Sequence, residues 1–379
     1  MMLFSCIRCA TNGAAIPLLM RSCLGAKDME CLSHTITHMG EHLSTQLLIR
    51  FKQDICALIK DSHLASNYFF DAVGHHFKHP GNTRWWSVYE LYCDLLRHFD
   101  EVVHFVNTAI EIGSVGDEGA RINRLMETLQ SQISRTWLKL EMDVVVLIMK
   151  PAVEATYILE GKGPTSLIAF DLLEGIRVGY EVHIDELTFP GLDQAIDECV
   201  ENLDENNEEM SREWVRGKIK GIIVPAFQYF LSRVYGMLAE DVEIYKCLRF
   251  ANPIAVKRYR QNFDVGIFKE SVKTLKHFDA EELSAIISEI PQYLTLVDDI
   301  APGAVNRNAE MDYAERFWKD NAESLPEMAK FAQYAFTITT SSASAERSFS
   351  ILKRCFGNGQ RLALEDYSML SCMLQSNRR

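Results

Sequence analysis

The sequence predicts a mainly helical protein with a small α/β part at its N-terminal end. Apolar residues recur at intervals of three and four over most of the chain after about residue 80. Clear strand character is confined to Leu3–Cys9, with a second short candidate at Met29–Leu32. The composition is that of a globular chain: 47% hydrophobic and 24% charged over 379 residues. That length suggests two or three structural units, and it can bury a large core without disulfides or structural metal.

The first strand ends at the turn signal Thr11-Asn12-Gly13. Ala14–Leu24 reads as a helix, with Pro17 in its first turn and Gly25 as its stop. From Leu32 to Arg50 the pattern is helical, with Ile36, Met39, Leu43, Leu47 and Leu48 on one face. His79-Pro80-Gly81-Asn82 is a loop by composition. Val88–Ile112 then reads as one helix, followed by helices over about 121–138, 139–160, 166–180 and 211–236. Pro151 and Pro225 are expected to kink or break two of these. Further helices are expected near 239–248, 254–262, 279–289, 310–320, 326–336, 343–356 and 363–376. The acidic Glu201–Glu209 reads as a solvated loop.

Charge and hydropathy exclude some functions. Lys and Arg number 39 against 52 Asp and Glu, a formal net charge of −13. Such a surface repels phosphate on average, so any contact with nucleic acid must come from a local basic patch. No run reaches the ~18 apolar residues of a membrane span. The richest, Val144–Met149, lies between Asp143 and Lys150. The apolar Met1–Ile7 lacks a basic flank and is interrupted at Arg8, so no signal peptide is expected. The 10 cysteines have no framework spacing and read as reduced thiols of an intracellular protein.

The C-terminal fifth carries the most specific pattern. Ser341-Ser342-Ala343-Ser344-Ala345-Glu346-Arg347-Ser348-Phe349-Ser350 is followed by Arg361-Leu362 and a closing apolar helix. Trp318, Leu325-Pro326 and Met328-Ala329 precede it. This block resembles the C-terminal dimerisation segment of hAT-superfamily transposases. Cys31-Leu32-Ser33-His34 resembles that family's Cys-x-x-His motif, and Thr83-Arg84-Trp85 resembles its Thr-Arg-Trp box.

The resemblance implies a partial ribonuclease-H-like core, residues 1–60, interrupted by a large all-helical insertion, 61–310, and closed by a dimerisation segment, 311–379. It implies dimer contacts from Trp318, Ser342, Arg347, Phe349, Leu352, Arg361, Leu362 and Leu370, and DNA contact from Arg84 and Trp85. Family enzymes use three acidic residues to hold divalent metal. The first, with its strand and a zinc finger, is expected to be missing ahead of Met1. The second matches Asn12 and the third Glu346. One carboxylate and one neutral amide do not replace three carboxylates around Mg²⁺ or Mn²⁺. The expectation is a degenerate transposase-derived protein, N-terminally truncated and catalytically inactive, that forms a homodimer. Its contact with DNA is expected to be weak and it has no membrane association. No cofactor is expected, Mg²⁺ or Mn²⁺ entering only with an intact core. A DNA-directed ancestry implies the nucleus, the cytoplasm otherwise. The alternatives are a DNA transposase represented by an incomplete chain and a helical scaffold for another partner.

Bland readings stand beside these. Glu346 also suits the positive end of a helix. Phe349, Leu352 and Phe356 share one helical face, as core residues do. Cys31, His34, His38 and His42 have partial metal spacing but suit buried, hydrogen-bonded side chains better. Trp85 and Trp86 suit packing as well as base stacking. His75, His76, Lys78 and His79 read as a solvated loop that could touch phosphate.

Overall fold

A computed structural model describes residues 10–11, 29–81, 85–111, 117–204, 211–260, 265–273, 275, 277–300 and 307–341. Among these, strand is confined to β1 (Ala10–Thr11) and β2 (Met29–Glu30), paired in parallel with Ala10 opposite Met29 and Thr11 opposite Glu30. The expected strand at Leu3–Cys9 and helix at Ala14–Leu24 lie outside the described residues.

The rest is helical. In chain order the elements are α1 (Leu32–Thr37), a 3-10 turn at His38–His42, α2 (Gln46–Asp61), α3 (His63–Val73), α4 (Trp86–Arg97) and α5 (Phe99–Glu111). They continue with α6 (Asp117–Gln130), α7 (Gln132–Leu159), α8 (Ser166–Glu186), α9 (Asp193–Asp204) and α10 (Arg212–Phe230), which passes into a π-helical stretch at Leu231–Met237. Then come α11 (Ala239–Leu248), a 3-10 turn at Arg249–Ala251, α12 (Pro253–Arg258), α13 (Val265–Lys273), α14 (Ala280–Asp298), α15 (Arg307–Asn321) and α16 (Pro326–Thr337). Starts are set locally. Ser62 and Ser211 cap α3 and α10, Asn252 caps α12 ahead of Pro253, and Asp279 with Glu282 forms a capping box on α14.

Several boundaries differ from the periodicity. The run Leu32–Arg50 is not one helix. It breaks at Leu43–Thr45, where Ser44 N–H donates to Ile222 O (3.1 Å) and His42 stacks on Tyr229. Val88–Ile112 is two helices, divided at His98 (φ −112°, ψ 33°). The expected division near residue 138 lies instead at Ser131, whose Oγ accepts from Ser134 N–H (3.3 Å) and starts α7. Pro151 does not end α7 and Pro225 does not end α10. A proline removes one helical hydrogen bond, and the buried Val144, Val145, Ile148, Met149 and Ala152 hold α7 on both sides of the gap. The acidic stretch begins as helix: α9 runs to Asp204, anchored by buried Ile196 and Cys199.

The chain folds into two compact units that cut across the expected insertion. One comprises 1–35, 155–173 and 238–379; the other comprises 36–154 and 174–237. In the first, α14 packs on α16 and α12 on α14 and α15, around Leu32, Tyr245, Phe268, Tyr293 and Phe331. In the second, α3 packs on α5, α2 on α6 and α9 on α10, around Met39, Phe69, Phe105, Tyr180 and Phe230. Among the described residues no single helix is long and apolar enough to cross a membrane.

Candidate functional site

In the first unit the Cys-x-x-His segment meets the residues that lead into the C-terminal block. Leu32 N–H donates to Thr340 O (3.0 Å). The Ser33 hydroxyl lies 3.1 Å from the Ser341 hydroxyl and 3.1 Å from the Cys31 thiol. The Thr340 hydroxyl donates to Leu159 O (3.2 Å) and therefore accepts from Thr165 (2.7 Å). Ser166 donates to Ala335 O (2.7 Å), and Tyr245 to Thr339 O (3.2 Å). Ser33, Thr165, Ser166 and Thr340 are all buried. Small hydroxyls thus satisfy the backbone where it leaves α16 toward Ser341. A buried polar seam with its partners in place fixes geometry more sharply than apolar packing does.

The four candidate metal residues do not form one group. The Cys31 thiol belongs to that seam, and His34 is half-buried in α1. His38 Nδ1 bonds Glu41 Oε2 (2.8 Å), and His42 stacks on Tyr229 with ring centres 4.1 Å apart.

The described part of the C-terminal segment turns its apolar side inward. Trp318 is buried, its indole N–H donating to Ala251 O (2.6 Å) and its ring stacked on Tyr293 (5.1 Å). Trp318 therefore uses its ring and its N–H within its own unit. Met328, Phe331 and Tyr334 are buried as well. Glu310 of α15 is fully buried, accepting from Asn252 Nδ2 (2.8 Å) and Arg258 (3.0 Å). Arg258 and Arg249 also face buried Asp171 (3.7 and 3.3 Å). The exposed positions of α15 and α16 include Asp312, Glu315, Arg316, Lys319, Asp320, Lys330 and Gln333, with Pro326 the apolar exception.

Trp85 lies in the second unit, half-buried, with its indole against Gly40. The same unit has a cavity of about 570 Å³ lined by Arg97, Arg135, Lys139, Asp143, Glu198 and Cys199 among others, which sequence reasoning did not single out. Lys139 bonds Glu198 there (2.6 Å), and burial pushes the Asp143 carboxyl up to about 6. Burial also pushes the Cys199 thiol up to about 11, which leaves it protonated and a poor nucleophile. Asn12, Arg84, Ser342, Glu346, Arg347, Phe349, Leu352, Arg361, Leu362 and Leu370 lie outside the described residues, as does the helix expected over 343–356.

Residues 304–376 match the hAT family C-terminal dimerisation region. The match begins just before α15, takes in α16 and the hydroxyl seam at Thr340 and Ser341, and continues through the Glu346-Arg347 and Arg361-Leu362 motifs. The likeness is to that region of the family and covers about a fifth of the chain. No curated protein matches the chain by sequence.

Proposed function

We propose that this hAT-family, transposase-derived chain acts as a homodimer joined through its C-terminal region and performs no strand cleavage of its own. The match over residues 304–376 carries the reading, because that region is the family's dimerisation region. The described half of the region supports a division of labour within it. Its large apolar groups are spent inside one chain, and most of its exposed positions are polar. The pairing surface is then assigned to 342–376, where Phe349, Leu352, Leu362 and Leu370 supply apolar groups and Arg347 and Arg361 supply polar ones. A stable pair typically buries ~1,600 Å² in total.

Light scattering on the eluting full-length chain tests this. The expected result is a dimer at tens of micromolar, weakened ~10-fold or more by Phe349→Asp or Leu370→Asp. A monomer unchanged by either substitution overturns it and favours the helical scaffold.

Catalytic inactivity rests on the donor set. Asn12 brings a neutral amide where the resembling motif has an aspartate, and Glu346 is the one carboxylate matched. That set does not fit two divalent cations, which need several anionic oxygens. Mg²⁺- or Mn²⁺-dependent nicking abolished by Glu346→Gln would restore the transposase reading. The short parallel pair of β1 and β2 supports a ribonuclease-H-like remnant. Nuclear placement follows from the ancestry alone. The charge of −13 favours weak contact with DNA, confined to the stretch around Arg84 and Trp85. The chain is read as free of membrane.

A further inference from the structure

The second unit brings together three side chains that neither the dimerisation region nor the transposase motifs account for. Gly74 ends α3 with φ of 85°, its N–H closing on Phe70 O (2.8 Å), and this left-handed turn aims the next residue, His75, back over the helix. Buried Phe69 meets the His75 ring edge-on, with centres 6.2 Å apart. Asp94 and His98 sit one turn apart at the end of α4, so their side chains share a face. The His75 and His98 rings lie 5.4 Å apart at 71°. One ligand atom from each of His75, Asp94 and His98 lies within 4.8 Å of the other two.

The hydrogen positions follow from the partners. His75 Nδ1 lies 3.1 Å from His76 O, and a carbonyl only accepts, so Nδ1 carries the hydrogen. In the neutral ring the Nε2 lone pair then points at Asp94 Oδ1, 3.3 Å away. A lone pair facing a carboxylate oxygen is repulsive unless a positive centre lies between them: a proton or a metal ion. Two ligands each ~2.0–2.2 Å from a tetrahedral ion stand ~3.3–3.5 Å apart, close to the spacing seen. The Nδ1–carbonyl bond is also the outer contact that orients a metal-ligating histidine.

We propose that His75, Asp94 and His98 bind a divalent transition-metal ion of the Zn²⁺ type, clasping the turn after α3 to the end of α4. Two imidazoles and one carboxylate favour Zn²⁺, Co²⁺ or Ni²⁺ over Mg²⁺ and Ca²⁺, which prefer all-oxygen shells. The side chains of His75 and Asp94 are 35% and 17% exposed, which leaves a path for the ion and room for water as a further ligand. The alternative is a plain imidazolium–carboxylate pair, which holds no metal.

The experiment uses the full-length chain, stripped with chelator, loaded with Zn²⁺ and dialysed. Metal content is measured for wild type, His75→Ala, His98→Ala, Asp94→Asn and, as control, His104→Ala on the exposed side of α5. The expected result is loss of about one Zn²⁺ per chain in each alanine variant at the site, ~10-fold weaker retention in Asp94→Asn, and no change in the control. Equal retention in wild type and the His75→Ala/His98→Ala double variant overturns the proposal. Should those variants fail to fold, the wild type alone decides by carbethoxylation of histidines read by mass spectrometry. Zn²⁺ is expected to slow modification of His75 and His98 ~10-fold and to leave His104 unaffected. Equal rates at His75 with and without Zn²⁺ overturn the proposal, whatever the cysteines bind.

Discussion

The indole of Trp85 lies directly on the backbone of Gly40, so closely that a Cβ at residue 40 would fall inside the ring. The face a nucleobase would share is, on that side, already covered by the protein. Gly40→Ala must push the indole aside. The expected cost is about 1–3 kcal/mol, read as a lower urea midpoint with unchanged slope. A variant as stable as wild type would show that the half-buried ring swings out freely.

Glu310 and Asn252 define a second relationship, between α15 and the cap of α12. The same Asn252 side chain caps α12 through its Oδ1 and donates to Glu310 through its Nδ2. Glu310→Ala leaves the buried Asn252 amide without that acceptor and removes one of the two carboxylates that face the part-exposed Arg258. The expected loss is about 1–3 kcal/mol. Glu310→Gln, which keeps one acceptor oxygen, should lose clearly less. Equal losses in denaturant titrations of the two variants would deny the ion pair its role.

Trp318 is expected to act on folding rather than on pairing, because its ring and its N–H are used inside its own unit. Trp318→Ala should destabilise by about 3–5 kcal/mol. Trp318→Phe should lose less and leave the dimer constant of the folded fraction within about twofold. A selective loss of pairing in Trp318→Phe, with stability intact, would return the residue to the interface.

Stability should fall as pH rises from weakly acidic to neutral. Burial pushes the Glu141 carboxyl up to about 7, although the backbone N–H of Leu48 (2.8 Å) pulls the other way. Burial likewise pushes Asp143 up to about 6, with Lys139 opposing and Glu198 adding to the rise. Each group binds its proton more tightly folded than unfolded. Its contribution is therefore full below the ordinary carboxylate range and lost as pH passes through about 6 and about 7. Glu141→Gln should flatten this fall by on the order of 2 kcal/mol between pH 4.5 and 8. An unchanged pH profile would mean that the carboxyl is hydrated in solution.

The helical class, the positions of α11 and α16, and the identity of the C-terminal segment were legible in the residues themselves. Periodicity of 3.6 and spaced motifs such as Trp318, Leu325-Pro326 and Glu346-Arg347 are local properties. The break at Leu43–Thr45 was not, since it depends on Ile222 and Tyr229 far along the chain. Nor was the survival of α7 through Pro151, which rests on burial around it. Only the tertiary structure turned Trp318 inward, tied Ser33 to Ser341 across 308 residues, and set His75 beside Asp94 and His98. Sequence spacing records which groups share a helix face; it carries no information on which distant group the fold will set against that face, because long-range contacts are selected by the packing of the whole unit.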